Sequence, residues 1–377
     1  MKRGARRPRR RAAIPVLLAL AVGAAACSDD DGGGSAAATT VAEVTVPGDD
    51  GPVEGTAGPE PTPPAEVAFA WPLTGEPLED EAMAQQPALV AKIDNVPEAR
   101  PQAGINQADI VVEEIVEGGL TRLRAVFHSQ EAERLGPIRS ARSTDVPILA
   151  SLEQPLFAWS GSNTEFAQEI REQDIVDVGV DAALSAYERD PEREGPTNLY
   201  TSTTALREFA GDAGEAPRAL LRYRDDPDHV PLVARDVLGV DIDFGATVVA
   251  FTWDESRRVW LREQDGEPHV DAEGAQVAPA NVILQYVTYR DTGLVDSAGA
   301  PVPEAVLTGQ QDAFLFVDGR MIQGVWSRST VEGPTEYRLV DGTPVGFAPG
   351  PTWILLPEFG QVSVREDLES QQPATGG

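Results

Sequence analysis

The chain has 377 residues, of which 61 are acidic and 30 are basic, and a formal net charge of −31. Seven of the basic residues fall within the first eleven positions, which contain no acidic residue, so the rest of the chain carries 23 basic and 61 acidic groups and a charge of −38. A body this acidic excludes nucleic-acid binding, which needs clustered Lys and Arg, and a single cysteine excludes an internal disulfide.

Residues 1–26 are typical of an export signal. A basic segment precedes the apolar run at residues 14–22, which is too short to cross a bilayer because spanning takes about 20 apolar residues. Small residues then lead to Cys27, an order that resembles a bacterial lipobox, although Ala24 stands where Leu is usual. The resemblance implies that the Cys27 thiol is diacylated and that the chain is cut just before it. The alternative is a plain secretory signal that leaves a free cysteine.

Residues 27–66 are rich in Asp, Gly, Ala, Thr, Pro and Glu and contain almost no large apolar residue. Such a segment cannot bury a core, so we expect a disordered acidic tether there and a similar short tail at residues 369–377. No later apolar run approaches the length of a membrane span, and two acyl chains on Cys27 would suffice for stable anchoring. We therefore expect the protein on the extracytoplasmic face of the cell membrane, held by its lipid anchor.

The body of the chain is predicted to begin with a mixed α/β lobe, residues 67–226. Its clearest feature is a pair of β-rich runs, residues 108–117 and 120–128, joined by Gly-Gly, which predicts a hairpin. Polar caps and apolar residues at helical spacing predict two later helices, one from about residue 164 and one at residues 204–210.

The register of the hairpin depends on the length of its loop. A two-residue loop places Glu113 opposite Arg124 and leaves Glu114 on the apolar face, opposite Leu123. A slip of one residue would exchange the two faces, so this register is a hypothesis. A carboxylate on an apolar face would have a raised pKa unless it is paired, which suits a general acid or a ligand contact. The alternative is a buried Glu114 bonded to a nearby Arg or backbone amide.

The composition changes after a proline-containing boundary at residues 225–231. Residues 232–368 are predicted to form a β-rich lobe, because β-rich runs alternate with turn signals such as the two Asp-Gly pairs. The predicted strands are residues 247–253, 259–262, 281–289, 313–317, 321–326, 336–340, 353–356 and 361–364. The predicted fold class is α+β, with a mixed α/β N-terminal lobe that holds the hairpin and a β-rich C-terminal lobe.

Several motifs carry a resemblance to a known family. They include Glu-Gly-Gly-Leu-Thr-Arg at residues 117–122, Gly-Pro-Ile-Arg-Ser-Ala-Arg at 136–142, Gly-Val-Trp at 324–326 and Thr-Trp-Ile at 352–354. Together they resemble the YerB-type lipoproteins, a bacterial family of unknown molecular function. The resemblance covers nearly the whole body and implies lipid anchoring and a two-lobe fold, but no reaction. A Pro-His-Asn-x-Tyr stretch is common in that family, whereas residues 196–200 read Pro-Thr-Asn-Leu-Tyr.

The few arginines of this acidic body mark the first candidate site. Arg139 and Arg142 follow a Gly-Pro turn, and Ser140 or Ser143 could cap a short helix, so two guanidiniums and free amides would bind a phosphate, sulfate or carboxylate. The alternative is that both arginines neutralise carboxylates such as Asp145, or Glu114 across the fold. We expect four further residues to line this site in a cleft between the lobes: Arg122, Glu114, Asn198 and Tyr200.

Two further patterns point to other kinds of site. The Ser-Gly-Ser turn at residues 160–162 lies between a predicted strand and a predicted helix, an order in which catalytic serines occur. His128 would then be the base that activates the serine. The alternative is a polar turn that caps the helix. Trp326, Trp353 and Tyr337 could form a platform that stacks on sugars, and core aromatics between sheets are the alternative.

The expected function is that of an exported, lipid-anchored envelope protein that binds a small anionic or glycan ligand or a protein partner. No motif indicates a cofactor, a metal site or a particular reaction. Two alternatives stay open: a cell-wall polymer hydrolase that uses a carboxylate as its acid, and a non-catalytic envelope assembly factor.

The lipobox resemblance makes a testable prediction for Cys27. In cells fed a fatty-acid probe, the protein should incorporate the label, and Cys27→Ser should lose it because the acceptor thiol is gone. Cys27→Ser should also leave the membrane fraction. Ser28→Ala changes the neighbouring residue and serves as the control, which should keep the label. Label that persists in Cys27→Ser would contradict the anchor.

Overall fold

The structure is a computed structural model that describes residues 69–224, 231, 233–296 and 299–366. The predicted signal and tether at residues 1–66, the tail at 369–377 and nearly all of the predicted boundary at 225–231 lie outside the described residues. Most of the described strands join one sheet of 15 strands. None of the helices in these ranges has the length and apolar character that crossing a membrane would take.

The part of the described chain before residue 225 contains strands and three helices. Its strands are β1 (Phe69–Ala70), β2 (Pro77–Leu78), β3 (Leu89–Asp94), β4 (Ile110–Ile115), β5 (Thr121–Phe127), β6 (Leu156–Ala158), β7 (Val176–Asp177), β8 (Glu188–Arg189) and β9 (Leu199–Tyr200). Its helices are α1 (Asp145–Leu149), α2 (Thr164–Arg171) and α3 (Thr203–Ala210). The two longer helices therefore lie where the sequence predicts them.

The part that follows is β-rich, which confirms the predicted α+β class. Its strands are β10 (Arg235–Asp243), β11 (Val248–Asp254), β12 (Val259–Gln264), β13 (Glu267–Pro268), β14 (Asn281–Gln285), β15 (Tyr289–Val295), β16 (Pro301–Ala305), β17 (Gly309–Val317), β18 (Arg320–Arg328), β19 (Glu336–Leu339), β20 (Thr352–Leu355) and β21 (Val362–Glu366).

One parallel pairing joins the two parts of the chain into a single sheet. The strand order is β13-β12-β11-β10-β18-β17-β14-β20-β4-β5-β3-β6-β7, with β19 beside β18 and β21 beside β10. Strands β20 and β4 run parallel, with Thr352 opposite Ile110 and Ile354 opposite Val112. We call this pairing the β4–β20 seam, because it is where the strands of the N-terminal part meet those of the C-terminal part in the sheet.

The predicted hairpin of β4 and β5 forms, but its predicted register is wrong by one residue. Leu123, and not Arg124, faces Glu113, and Arg122 faces Glu114. The physical reason is the loop, because a three-residue 3₁₀ turn replaces the two-residue connection on which the predicted register depends. The slip exchanges the faces of the strand pair, as expected for a period of two residues.

Both faces of the central strands are buried. Successive residues of β4 point to opposite faces, so Val111 packs into one core while Ile110 and Val112 pack into the other. On the first face, strands β10 to β12 and β21 fold over the central strands, and the rings of Trp260 and Phe316 meet at a centroid distance of 5.6 Å. Because β3 and β4 have no solvent face, their apolar residues form runs without the alternation of a half-buried strand.

Glu113 belongs to a buried polar network on the first face. An oxygen of its carboxylate lies 2.9 Å from Arg262 Nη2 on β12, and Thr121 Oγ1 donates to the carboxylate at 2.7 Å. Arg262 also bonds to Nδ1 of His269, whose Nε2 lies 2.8 Å from Gln102 Oε1. Burial, followed by the charge of Arg262, holds the pKa of His269 well below its usual value. A neutral imidazole that accepts from Arg262 and donates to Gln102 satisfies both contacts.

A buried ionic cluster of four residues lies on the second face. Lys92 Nζ bonds to Glu114 and lies 2.9 Å from Asp145, while Arg124 lies 3.1 Å from Asp145 and 3.3 Å from Glu114. All four side chains are at most 1% exposed, so two cations and two carboxylates balance each other away from water. Burial by itself raises the pKa of Glu114, but the charges of Arg124 and Lys92 outweigh it and lower the pKa to about 2.

The network on the first face predicts a large stability difference between two ion pairs. Glu113→Ala would leave the Arg262 charge buried and unpaired, which costs about 3–5 kcal/mol in the free energy of unfolding. The matched control is Asp236→Ala, which breaks an exposed pair with Arg320 and should cost at most about 1 kcal/mol. Urea denaturation measures both, and equal losses would contradict the role given to Glu113.

The cluster on the second face predicts how stability changes in acid. The pKa of Glu114 is about 2 in the folded protein and about 4.3 in an unfolded chain, so its stabilisation is complete above about pH 5 and is lost as the pH falls toward 2. Glu114→Gln should flatten this part of the pH profile and lower stability at neutral pH. Chemical denaturation across the acid range tests this, with exposed Glu98→Gln as the control. Equal slopes for Glu114→Gln and the unchanged protein would count against it.

Candidate functional site

Three predicted site residues, Arg122, Arg139 and Arg142, lie together at the outer edge of the second-face cluster. Arg122 extends from β5 and donates from Nη1 to the carbonyl of Ser140, at 3.1 Å, in the segment between the other two. Burial is the main cause that lowers the pKa of Arg122, and the charges of Arg142 and Arg139 lower it further. These three residues are called the arginine cluster below.

Two carboxylates face the arginine cluster. Arg139 Nε lies 2.7 Å from Asp94, and Arg142 Nε lies 2.7 Å from Glu117. The arginines thus pair with local carboxylates, as the alternative from the sequence holds, but the partners are not Asp145 or Glu114. Three cations meet two anions, so the group as a whole carries one excess positive charge.

Arg122 carries that excess charge. It is 8% exposed and, among the residues that the structure describes, it has no carboxylate within ion-pair distance and no partner for its buried Nε. Burial, followed by the charge of Arg142, lowers the pKa of Arg122 to about 10, against the opposite effect of Asp94. The guanidinium is therefore still charged at neutral pH and would gain from a nearby anion.

The Ser-Gly-Ser turn at residues 160–162 lies against the arginine cluster. The Ser160 amide donates to the Arg139 carbonyl at 3.0 Å, and Ser162 Oγ donates to the Ala141 carbonyl at 3.1 Å. Gly161 is exposed and Arg139 retains 25% of its side-chain exposure, so this side of the cluster reaches the surface. The turn therefore forms the rim of the candidate site.

The pairing of this turn with a histidine base does not form. His128 is fully buried, and its Nε2 contacts the carbonyls of Ala84 and Gln86. Ser160 Oγ instead donates to the Ile138 carbonyl at 3.2 Å. The serine has no base in place, and the polar-turn alternative describes it.

The predicted helix start contributes no free amides. Helix α1 begins at Asp145, and the Asp145 carboxylate accepts the Arg142 amide at 2.6 Å, so a resident anion already occupies this end. Ser140 Oγ donates to the Ser160 carbonyl at 3.0 Å and caps nothing, and Ser143 Oγ is buried without a hydrogen-bond partner in the described chain. The capping roles predicted for both serines are therefore wrong, and guanidiniums alone supply the donors.

Glu114 lies inside the protein and not on the surface of the site. It is 1% exposed and bonded to Lys92 and Arg124, so no ligand can reach its carboxylate. Its pKa is lowered and not raised, because two cations outweigh the effect of burial. The expectation that Glu114 lines the ligand site is therefore wrong, and this residue is instead an ion-pair partner of Lys92 and Arg124 in the core.

Asn198 and Tyr200 belong to a different group of side chains. The Tyr200 ring lies 4.0 Å from the guanidinium carbon of Arg134 and 5.8 Å from that of Arg193. Asn198 Oδ1 accepts from Arg189 Nη1 at 2.7 Å. Within the described ranges neither side chain makes a hydrogen bond or cation–π contact with the arginine cluster, so the sequence grouped them wrongly with it.

The three aromatic residues do not form a platform. Trp326 and Trp353 are both buried, and they pack into the cores on opposite faces of the sheet. Tyr337 is buried in the core that contains Trp326, and its hydroxyl donates to Gln285 Oε1 at 2.7 Å. These are the core aromatics of the alternative interpretation.

Two features of the site were missed in the sequence. Asp94 and Glu117 are its carboxylates, and only Glu117 had a signal, since it opens one of the family motifs. The ribbon of β15 and β16 borders the site from the C-terminal part: Thr144 Oγ1 accepts from the Ala305 amide at 3.2 Å, and Asn163 Nδ2 donates to the Val295 carbonyl at 3.3 Å. The predicted strand at residues 281–289 ends where this ribbon begins, and no strand is predicted between residues 289 and 313. The ribbon was therefore not predicted.

Comparisons with known proteins identify the family. Residues 73–216 match the N-terminal domain, and residues 240–354 the C-terminal domain, of a family described as "Protein of unknown function (DUF3048)". The chain is 29% identical over 308 residues to "Putative lipoprotein YerB" of Bacillus subtilis (strain 168), an alignment that spans 78% of this chain and 88% of that protein. The crystal structure of YerB protein from Bacillus subtilis superimposes with a TM-score of 0.68 and 25% identity, covering 79% of this chain and 100% of that one. The chain therefore belongs to the YerB-type family, which has two domains of unknown function.

Proposed function

We propose that this protein is an exported, lipid-anchored protein of the cell envelope that binds a small anionic ligand at the arginine cluster. The anchor is Cys27, the signal and tether are residues 1–26 and 27–66, and the two lobes are residues 67–226 and 232–368. The lipobox resemblance supports this location on the extracytoplasmic face, and so does the name of the Bacillus relative as a lipoprotein.

The single observation that carries the ligand proposal is the unpaired charge of Arg122. A buried guanidinium is costly unless an anion is near, and Asp94 and Glu117 already bond to the other two arginines. Arg139 bonds to Asp94 through Nε, and its two terminal nitrogens make no hydrogen bond to the described residues. Such a guanidinium presents a planar pair of donors that matches the oxygens of a phosphate, sulfate or carboxylate.

The ligand must be bound by short-range contacts. The chain after its first eleven residues has a charge of −38, which repels any anion at a distance. At physiological ionic strength the screening length is about 8 Å, so the distant carboxylates lose most of their effect once the anion touches the cluster. A small anion, such as a phosphosugar or the acidic group of a wall glycan, fits this condition better than a polyanion.

The same observations favour binding over hydrolysis. A general acid must hold a proton at the working pH, and the low pKa of Glu114 keeps that carboxylate ionised. Its burial also keeps a polymer substrate away from it. The described residues thus support a ligand site more directly than a carboxylate hydrolase.

The proposal predicts anion binding that depends on Arg122. Titration of the protein with inorganic phosphate, sulfate and glucuronate, followed by thermal shift and calorimetry, should show saturable binding of at least one of them. Arg122→Gln should weaken it at least about tenfold, because a charge-assisted hydrogen bond contributes about 1.5–3 kcal/mol. Arg122→Gln breaks no ion pair and so leaves no carboxylate unpartnered.

The matched control is Arg171→Gln, which removes an exposed arginine that pairs with Asp177 outside the cluster. It should bind like the unchanged protein. Arg139→Gln should weaken binding as well. Absence of saturable binding, or binding that is equal in Arg122→Gln and Arg171→Gln, would refute the site.

A further inference from the structure

A second candidate ligand site lies away from the arginine cluster, in a cavity on the second face of the sheet. The cavity is partly open, has a volume of about 60 Å³ and is lined mainly by aliphatic side chains of β4, β5 and β20 and of residues around 148–152, 220–221 and 307. Val112, Ile354 and Leu307 are among its walls, and its polar members are Ser151, Gln285, Arg328, Thr335 and Tyr337. A water needs about 10–15 Å³ of such volume, so the cavity has room for a small group, and its mainly aliphatic wall favours an apolar one. The chamber is therefore suited to part of a hydrocarbon ligand.

Three polar side chains of the chamber wall bond within the wall. Tyr337 donates its hydroxyl hydrogen to Gln285 Oε1 at 2.7 Å, and Ser151 Oγ donates to the Ile148 carbonyl at 2.7 Å. Thr335 is a further uncharged polar member, and Arg328 is the charged residue among those that line the chamber.

Arg328 is a buried cation without a paired anion. It is 4% exposed, its Nε donates to the Thr330 carbonyl at 3.2 Å and its Nη2 donates to two other backbone carbonyls. In the described ranges no carboxylate lies within ion-pair distance, and Nη1 makes no hydrogen bond. Burial lowers the pKa of Arg328 to about 10, against the raising effect of Tyr337 and with smaller, opposite effects of Arg218 and Glu332. The guanidinium remains charged at neutral pH.

Arg328 lines both the chamber and an open depression next to it. The depression has a volume of about 650 Å³, and its other polar lining residues include Thr308, Gln310, Ser329 and the carboxylate of Glu336. A neighbouring depression of about 270 Å³ shares Tyr337 with the chamber wall. The chain from residue 329 to 336 is mostly exposed and contributes Thr335 to the chamber wall and Pro334 to both depressions. A charged group at this boundary can meet a polar head while a tail occupies the chamber.

We propose that this chamber binds an amphiphile with one anionic head group and a short hydrocarbon tail. The tail fills the apolar space between the sheet and residues 148–152, and the head accepts hydrogen bonds from Arg328 at the boundary with the open depression. A neutral apolar molecule would leave the Arg328 charge unpaired, and a bare inorganic anion would leave the chamber empty. A hydrocarbon chain that ends in a carboxylate or phosphate satisfies both requirements.

This site is separate from the arginine cluster. None of the chamber residues belongs to that cluster or to its carboxylates. The two sites also differ in the ligand they favour, because the cluster offers guanidinium donors whereas the chamber wall is mainly aliphatic. The proposal therefore stands or falls independently of the anion site at Arg122.

The test uses the full chain with Cys27→Ser, which needs no detergent. Isothermal titration calorimetry compares octanoate with octanol and with inorganic phosphate. Octanoate should bind with a one-to-one stoichiometry and at least tenfold more tightly than octanol, and phosphate should not compete with it. Arg328→Gln should remove the preference for octanoate over octanol, because only the head-group contact is lost.

Two further variants keep the result interpretable. Leu307→Phe fills part of the chamber and should weaken octanoate and octanol alike, even if Arg328→Gln proves too unstable to measure. Arg320→Gln removes an exposed arginine of the same strand and should change neither, and Arg122→Gln should leave octanoate binding intact. Octanoate that binds no more tightly than octanol, or binding that Leu307→Phe leaves unchanged, would overturn the proposal. Loss of octanoate binding in Arg122→Gln would assign it to the other site.

Discussion

Two adjacent carboxylates at the centre of the sheet, Glu113 and Glu114, fix the arrangement of everything around them. Neighbouring residues of a strand point to opposite faces, so one carboxylate enters each core. Glu113 meets Arg262 and Glu114 meets Lys92, and both pairs are shut away from water. A buried charge is tolerated only beside its partner, so a shift of β4 by one residue would break both pairs at once. The charges thus contribute to the specificity of the strand register, beyond any net stabilisation that they provide.

The candidate anion site is built outward from this buried centre. Asp145 is the link: one of its oxygens bonds to Lys92 and Arg124 in the core, and the other accepts the backbone amide of Arg142. The backbone that carries Arg142 is therefore held by the same cluster that neutralises Glu114. The register of the hairpin sets the position of Arg122, because it places this residue opposite Glu114. A site on such supports is held rigidly by the sheet, which favours a small ligand of definite shape.

The sequence predicted the class of fold and most strands, because β-branched runs and Asp-Gly turns are local signals. It failed where distant parts of the chain decide the outcome. The hairpin register depends on a loop conformation that Gly-Gly does not specify. The ion pair of Glu113 could not be predicted either, because its partner Arg262 lies in another part of the chain. It drew attention to Arg122, Arg139 and Arg142 because they stand out in an acidic chain, but Asp94 is invisible as a partner until the sheet is formed. Arg328 gave no signal at all.

The parallel β4–β20 seam has a consequence for how the chain reaches its native state. Strand β4 lies near the beginning of the body and β20 near its end, so a chain emerging from its N-terminus has β5 available long before β20. Until then one edge of β4 has no neighbour, and an open apolar edge invites pairing with other chains. Contacts between distant segments also slow folding. The N-terminal domain alone would thus be a poor independent unit, because an unpaired edge of β4 would stay open until β20 is available.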